Sequence, residues 1–203
     1  MKFHQLGQSL LLLIVLTGTV DADLILVEPD AFPHGTNISS AFPGITLSSK
    51  FDPPYEDVYS RIGLASTGTR VFAWRLDQPW GSWWGDNQTV LQAEFSVPTN
   101  FVSVDVIRDD DNDVGKLSVY DSSGVLLDTA TTSPFGGVGS IETLSISRSN
   151  WDIAFAEMGG DFVDRLYLDN LQFNVPEPSS LLTSLLAAVG MGLAGWRYRK
   201  RAR

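Results

Sequence analysis

Short runs of alternating apolar and polar residues fill the middle of the chain. Residues 91–97 and 102–106 alternate in this way, and no stretch between residues 23 and 174 keeps a helical period for more than ten residues. A period of two is typical of strands with one buried face, whereas a helix needs apolar residues at three- and four-residue spacing. The pattern therefore predicts an all-β domain. Turn residues every ~8–12 positions predict a β-sandwich or jelly roll.

The expected strands are short, and each is bounded by Gly, Pro, Asn or Asp. They lie at 24–27, 45–47, 91–97, 102–106, 117–120, 125–127, 141–146, 153–155 and 166–173. Asp121-Ser122-Ser123-Gly124 predicts a hairpin loop, with Gly124 at the position that tolerates positive φ.

The last of these strands contains a break in phase. Leu166 and Leu168 fall on one face of an extended chain, whereas Leu171 and Phe173 fall on the other. A β-bulge near residues 169–170 would return all four side chains to the same face, so we expect a bulge there.

The first 22 residues have the layout of a secretory signal peptide. Lys2 gives a positive start, residues 10–16 are apolar, and Val20-Asp21-Ala22 precedes a plausible cleavage site. The apolar run is too short to span a bilayer, which takes about 20 residues. The sequence therefore predicts export and a mature chain that starts at Asp23. A buried first strand or helix is the alternative.

Residues 175–203 form a second targeting segment with three parts. A Pro-rich motif over 175–180 precedes an uncharged apolar stretch, 181–196, and a basic tail, 197–203. The apolar stretch predicts a single transmembrane helix with the basic tail on the cytoplasmic side. A buried C-terminal helix is the alternative. The motif residues are Val175, Pro176, Glu177 and Pro178, and the basic residues are Arg197, Arg199, Lys200, Arg201 and Arg203.

These three parts, in this order, resemble the PEP-CTERM (VPEP) sorting signal, whose domain is also labelled an ice-binding-protein C-terminal domain. The resemblance implies an exported bacterial protein, anchored in the inner membrane with its body outside the cytoplasm. It also implies processing by an exosortase near residues 176–178, which would release the body to the envelope or an extracellular matrix. The chain would be the substrate of that enzyme.

Composition excludes several classes of function. The chain has no cysteine, so disulfides, zinc–thiolate sites and cysteine nucleophiles are excluded. Between residues 23 and 176 there are 8 basic and 22 acidic side chains, a net charge of −14. An acidic body of this kind repels phosphates, so we expect no nucleic-acid partner.

The segment between the two signals, 23–174, resembles the galactose-binding-like jelly-roll domains found in many PEP-CTERM proteins. The matching stretches are 32–38, 43–47, 117–124 and 168–173. The resemblance implies the jelly-roll fold without naming a ligand. It also implies a structural calcium ion held by acidic residues of the first and last strands, for which Glu28 and Asp169 are the nearest matches.

Four tryptophans lie close together in the sequence. Trp74 alternates with Phe72 and is expected to face inward, whereas Trp80, Trp83 and Trp84 lie among Gly, Pro and Ser. These three are candidates for a platform that stacks on sugar rings. Adjacent Trp83 and Trp84 cannot point the same way in an extended chain, so we expect one of them in the core. Burial of all four is the alternative.

Residues for catalysis are sparse. The mature chain has one histidine, His34, in a turn where a solvated side chain is expected. The acidic run 109–113 imitates the start of an EF-hand loop, but Val114 and Tyr120 occupy the positions of its glycine and its bidentate glutamate. A polar hairpin loop is the simpler interpretation, and loose calcium binding is the alternative.

Taken together, the sequence predicts a non-catalytic exported protein with a domain that binds polysaccharide. A purely structural secreted domain without a ligand is the alternative, and a glycan hydrolase that uses a carboxylate pair is a third.

Overall fold

The computed structural model describes residues 22–50, 56–78, 81–85, 89–133, 136–161 and 164–176. These residues form twelve strands and one 3₁₀ turn, Pro29–Ala31. The strands are β1 (Ala22–Val27), β2 (Ile45–Lys50), β3 (Tyr59–Ile62), β4 (Arg70–Ala73), β5 (Trp84–Gly85), β6 (Val90–Thr99), β7 (Phe101–Arg108), β8 (Gly115–Tyr120), β9 (Leu126–Thr131), β10 (Ile141–Ser147), β11 (Ile153–Gly160) and β12 (Arg165–Pro176). The predicted all-β domain is confirmed.

The strands pair in two five-stranded antiparallel sheets and one two-stranded sheet. Sheet I has the order β1-β12-β7-β10, with β5 paired to the start of β12. Sheet II has the order β2-β6-β11-β8-β9, and the small sheet pairs β3 with β4. Because β6 and β7 follow each other in the chain but lie in different sheets, the chain crosses between the two layers of the sandwich.

The core lies between sheets I and II. The alternating apolar residues of 91–95 on β6 and 102–106 on β7 are buried in one cluster, as their spacing predicts. Phe173 of β12 packs against Phe95, with the ring centroids 5.0 Å apart. Burial of apolar side chains from both layers holds the sheets together.

The predicted β-bulge in β12 is confirmed. The pairing of β12 with β7 shifts register between Asp169 and Gln172, and Asn170 has a positive φ of 51°. All four apolar residues around the bulge belong to the same buried core cluster, so the bulge returns them to one face of the strand. They are Leu166, Leu168, Leu171 and Phe173.

The predicted hairpin between β8 and β9 is also confirmed. Gly124 has a φ of +83°. Asp121 Oδ1 accepts hydrogen bonds from the backbone N–H groups of Ser123 (2.8 Å) and Val125 (2.9 Å). These bonds and the Ser123 hydroxyl lower the pKa of Asp121, the hydroxyl most strongly.

The acidic run 109–113 does not form the predicted hairpin loop. It joins β7 of sheet I to β8 of sheet II, so the strands on either side belong to different layers. Buried Arg108 anchors this connection, since its Nε donates to the backbone O of Asp113 at 2.9 Å and its Nη2 to Glu142 Oε2 at 2.9 Å. The alternating pattern reveals a strand but not the sheet to which it belongs.

The loop between β3 and β4 covers the outer face of sheet I. Ser103, Asp105 and Ile107 alternate with the core valines of β7 and point to this face, yet all three are buried. Ser66 of the covering loop donates its hydroxyl to Asp105 Oδ2 at 2.7 Å. The outer face of sheet I therefore has little surface to offer a ligand at this point.

Candidate functional site

The outer face of sheet II carries polar and aromatic side chains. The strand registers place these side chains in three rows across the five strands. From β2 to β9, the rows are Thr46, Glu94, Phe155, Tyr120 and Leu126; Ser48, Gln92, Glu157, Ser118 and Thr129; and Lys50, Val90, Gly159, Lys116 and Thr131. All the side chains of the first row are exposed or half-buried, so this face is open to solvent.

An aromatic pair lies in the first row of this face. The rings of Phe155 and Tyr120 are 4.7 Å apart between centroids and nearly parallel, with an angle of 8° between their planes. They come from β11 and β8 and are direct partners across the ladder. The two rings therefore stack on each other, and both remain half-buried at the surface.

Glu157 connects the aromatic pair to the next row. Its Oε2 accepts a hydrogen bond from the Tyr120 hydroxyl at 3.1 Å, and its Oε1 accepts one from Lys50 Nζ at 2.9 Å. Burial of the phenol, and then the nearby Glu157 charge, raise the pKa of Tyr120. Tyr120 therefore stays protonated at neutral pH, with its hydroxyl group held in place.

The aromatic pair separates two depressions on this face. One, of about 670 Å³, is lined by Phe155 together with Ser48, Gln92 and Glu94. The other, of about 310 Å³, is lined by Tyr120 together with Thr129 and Lys116. In each depression a ring lies beside hydroxyl, amide or charged groups, which suits a ligand with both apolar and hydrogen-bonding surfaces.

The amino-acid sequence contains only a weak signal for this site. Tyr120 and Phe155 occupy the polar phase of β8 and β11, opposite the buried Val119 and Ala156. An aromatic residue among the outward-facing polar positions of a strand indicates a possible binding surface. Its neighbour on the adjacent strand cannot be identified from local sequence, because it depends on which strands pair.

The predicted tryptophan platform is only partly represented in the described residues. Trp74 is 4% exposed and Trp84 is fully buried, with the Trp84 indole N–H donating to Phe72 O at 2.9 Å. Both lie in the core. The burial of Trp74 was predicted, and so was the burial of either Trp83 or Trp84. Because Trp84 is the buried one, it is not part of a surface platform. Trp80 lies outside the described residues.

Trp83 is half-exposed. Its indole N–H donates to the Tyr167 hydroxyl at 2.9 Å, and the Arg165 guanidinium lies 5.4 Å from its ring centroid. These contacts hold the ring in place, and its role in binding stays a prediction.

The structure brings Glu28 and Asp169 together, as the predicted calcium site requires. Thr67 donates its hydroxyl to Glu28 Oε2 at 2.8 Å and its backbone N–H to Asp169 Oδ2 at 3.1 Å. Asp169 is fully buried and also accepts N–H bonds from Ser66 (2.9 Å) and Asn170 (2.8 Å). Burial raises the pKa of both carboxyl groups, against the opposing effect of these hydrogen bonds.

The donors around these carboxylates fit a hydrogen-bonded cluster better than a metal site. A calcium ion needs six to eight oxygen ligands, whereas the carboxylate oxygens here face N–H and O–H donors. Within the described ranges, no group of three or more His, Asp or Glu side chains is arranged to hold a metal ion. The calcium assignment stays a prediction.

Asp109 and Asp113 form a second acidic contact, in the connection between the sheets. Asp113 Oδ2 accepts N–H bonds from Asp109 (3.2 Å) and Asp110 (3.0 Å). Burial, followed by the hydrogen bond and charge of Asp113, raises the pKa of Asp109 to about 7. His34 is exposed in its turn, where Nδ1 accepts the Ile62 N–H at 3.3 Å.

The two predicted targeting segments lie almost entirely outside the described residues. The sandwich begins at Ala22 and ends at Pro176, within two residues of the predicted domain limits. No helix in the part of the chain that the structure describes is long and apolar enough to cross a membrane.

Comparison with solved structures finds distant similarities. The K2 cleaved adhesin domain of Lys-gingipain has 9% identity, a TM-score of 0.40, and coverage of 74% of this chain and 99% of its own. A variant of a family 29 carbohydrate-binding module has 9% identity, a TM-score of 0.40, and coverage of 76% and 93%. The C-terminal family 22 carbohydrate-binding module of a Clostridium thermocellum protein has 16% identity, a TM-score of 0.36, and coverage of 70% and 91%. These similarities are too remote to support a functional argument.

Comparison with curated proteins finds no match. A family model of the PEP-CTERM protein-sorting motif matches residues 174–201. The match contains the Pro-rich motif, the apolar stretch and most of the basic tail that the sequence shows in this order. The chain therefore carries a PEP-CTERM protein-sorting motif.

Proposed function

We propose that this is an exported bacterial envelope or matrix protein that its PEP-CTERM motif directs to an exosortase. The motif match at residues 174–201 supports this assignment. A signal peptide over 1–22 starts export, the apolar stretch 181–196 holds the chain in the inner membrane, and the basic tail 197–203 stays in the cytoplasm. Cleavage by the exosortase then releases the sandwich domain to the envelope or matrix.

We infer that the domain binds polysaccharide on the outer face of sheet II. The observation that carries this inference is the parallel pair Phe155–Tyr120, with Phe155 lining the larger depression and Tyr120 the smaller one. The apolar face of a sugar ring packs on an aromatic ring, while hydroxyl, amide and carboxylate groups bond to its hydroxyls. In the larger depression Gln92, Glu94 and Ser48 supply those groups.

Binding without catalysis is the activity that we assign to this domain. The carboxylate at the centre of the face, Glu157, is already engaged by Tyr120 and Lys50. These contacts fix the aromatic pair and the surrounding groups, as expected for a binding surface. A structural domain without a ligand is the alternative that the following experiment decides.

Affinity electrophoresis of the sandwich domain tests the proposal. The gels contain xylan, hydroxyethyl cellulose, galactomannan, alginate or dextran, and the retained polysaccharide identifies the ligand class. We expect Phe155→Ala to weaken retention at least tenfold, because it removes the ring of the larger depression and half of the stacked pair. A tenfold loss corresponds to about 1.4 kcal/mol.

Two control variants locate the binding surface. Phe101→Ala removes a half-buried aromatic ring from sheet I and should leave retention unchanged. Trp83→Ala tests the tryptophan region, and loss of retention in this variant alone would move the site there. A domain that no polysaccharide retains would overturn the binding proposal in favour of the structural alternative.

A further inference from the structure

The larger depression on sheet II lies beside an irregularity in the β6–β11 ladder. Phe155 is the direct partner of Glu94, but the next pair joins Ile153 to Thr99. Residues 95–98 of β6 therefore stand opposite a single residue of β11. Extra residues of this kind bend the strand and disrupt the ladder locally, and the depression is lined by residues from both strands at this point.

Glu94 and Phe155 lie side by side in this depression. Both residues line it, and direct partners in an antiparallel ladder have Cβ atoms about 4.5–5.5 Å apart. A sugar that packs on the Phe155 ring therefore brings the groups on its own edge to the Glu94 carboxylate. The chemistry of those edge groups decides whether the contact is favourable.

Glu94 is the charged group of the larger depression. The other described residues that line it have hydroxyl, amide or apolar side chains, such as Thr46, Gln92 and Ser122. The Glu94 side chain is exposed, so it carries a negative charge at neutral pH. Among the described residues, no lysine or arginine forms an ion pair with it. No cation therefore balances this charge where a ligand would lie.

The lysines of the same face are engaged elsewhere. Lys50 Nζ lies 2.9 Å from Glu157 Oε1, and Lys116 Nζ lies 3.6 Å from Asp161 Oδ1. Both lysines line the smaller depression, which the aromatic pair separates from the larger one. The net charge of −14 over residues 23–176 adds a general repulsion of polyanions.

We propose that the larger depression selects uncharged polysaccharide and that Glu94 excludes chains that carry carboxylates. This inference rests on the proposed polysaccharide binding and names the ligand class within it. A sugar hydroxyl beside the Phe155 ring donates a charge-assisted hydrogen bond to Glu94, which is stronger than a bond between neutral groups. A carboxylate at the same position has no proton to donate and meets a like charge. Two such charges about 4 Å apart in water lower affinity about fivefold.

Matched polysaccharide derivatives test this selectivity. Cellulose, xylan, galactomannan and dextran are each lightly hydroxyethylated or lightly carboxymethylated, so the two forms share a backbone and differ in charge. The full-length chain in neutral detergent is titrated with each form by calorimetry. EDTA and low salt prevent metal ions from bridging carboxylates and limit screening. We expect the retained backbone to bind at least about fivefold more tightly in its hydroxyethylated form.

Variants at Glu94 assign the selectivity to this residue. Glu94→Gln keeps the size of the side chain but removes its charge, so the ratio between the two affinities should fall by at least about threefold. Glu94→Lys should bind the carboxymethylated form more tightly than the unmodified chain does, and it decides the question even if Glu94→Gln binds neither form. Asp111→Asn removes the same charge from an exposed position before β8 and should leave the ratio unchanged.

The outcomes separate this inference from the binding proposal. Equal or tighter binding of the carboxymethylated form by the unmodified chain would overturn the inference and leave polysaccharide binding intact. The inference also fails if Glu94→Lys gains no affinity for that form, or if Asp111→Asn changes the ratio as much as Glu94→Gln. A chain that binds neither form of any backbone would overturn both proposals.

Discussion

The two outer faces of the sandwich differ in what lies over them. On sheet I, the β3–β4 loop covers Asp105 and Asp169, which are 6% and 0% exposed. On sheet II, Glu94 is exposed, and Glu157 is half-buried beside Phe155 and Tyr120. Acidic side chains occur on both faces, but Asp105 and Asp169 of sheet I are buried. On sheet II, Glu157 accepts bonds from Tyr120 and Lys50 while it stays partly exposed, and Glu94 is exposed.

This difference separates a stabilising face from a binding face. A buried carboxylate needs several hydrogen bonds to offset the loss of water, and Ser66, Thr67 and Asn170 provide them around Asp169. The carboxylates and amides of sheet II remain in contact with water. A ligand that bonds to these groups can therefore displace that water at a low cost in free energy.

Removing a carboxylate should destabilise the covered face much more than the open face. Asp169→Ala removes the buried carboxylate that accepts the part-buried N–H groups of Ser66, Thr67 and Asn170, at about 1–3 kcal/mol for each group that stays unpaired. We expect a loss of roughly 3 kcal/mol or more in the free energy of unfolding, measured by urea titration.

Glu94→Ala is the matched variant on the open face. Its side chain is exposed, so we expect a change within about 0.5 kcal/mol. Similar losses in the two variants would show that the contrast between the faces has no energetic basis.

A substitution in the connection between the sheets, residues 109–113, should have an effect on stability between those of Asp169→Ala and Glu94→Ala. That effect should depend on pH. The folded-state pKa of Asp109 is about 7, above its usual value of 3.8, so the folded state binds this proton more tightly. The group's contribution to stability is present at acidic pH and is lost as pH rises from about 4 to about 7. Asp109→Asn should therefore raise the melting temperature at pH 8 and leave it nearly unchanged near pH 4.

Asp111→Asn is the control in the same loop, since it removes the same charge from an exposed position. Equal gains at pH 8 in both variants would assign the effect to net charge instead of the burial of Asp109.

Calcium should have the smallest effect. A site saturated a hundredfold above its dissociation constant would add about 2.7 kcal/mol, or several degrees in melting temperature. Because the carboxylates of the covered face already accept N–H and O–H bonds, we expect a shift below about 2 °C on adding calcium to EDTA-treated domain. A larger shift, abolished by Glu28→Gln, would establish the calcium site that the family resemblance implies.

Local patterns predicted nine of the twelve described strands and two of their irregularities, whereas β3, β4 and β5 were not among the expected strands. The phase break between Leu168 and Leu171 located the bulge, and Gly124 located the hairpin, because both depend on neighbouring residues. The burial of Trp74 followed from its alternation with Phe72.

Features that depend on the pairing of strands far apart in the chain could not be predicted from local sequence patterns. Phe155 and Tyr120 lie 35 positions apart in the sequence and meet only through the β8–β11 register. The loop 109–113 crosses between sheets because β7 and β8 find different partners. The candidate binding face was therefore missed. Each of its residues nevertheless lies in a predicted strand or in an extension of one.

The pairing of Ala22 with Pro176 also makes the domain a natural insert for protein engineering. Since its two ends are neighbours in one ladder, the domain can replace a surface loop of a host protein without forcing the host's flanking strands apart. A short peptide that joins the same ends would give a circular chain. The exposed turn at Gly124, where an added side chain would meet no other atom within 4 Å, is a suitable place to open new termini.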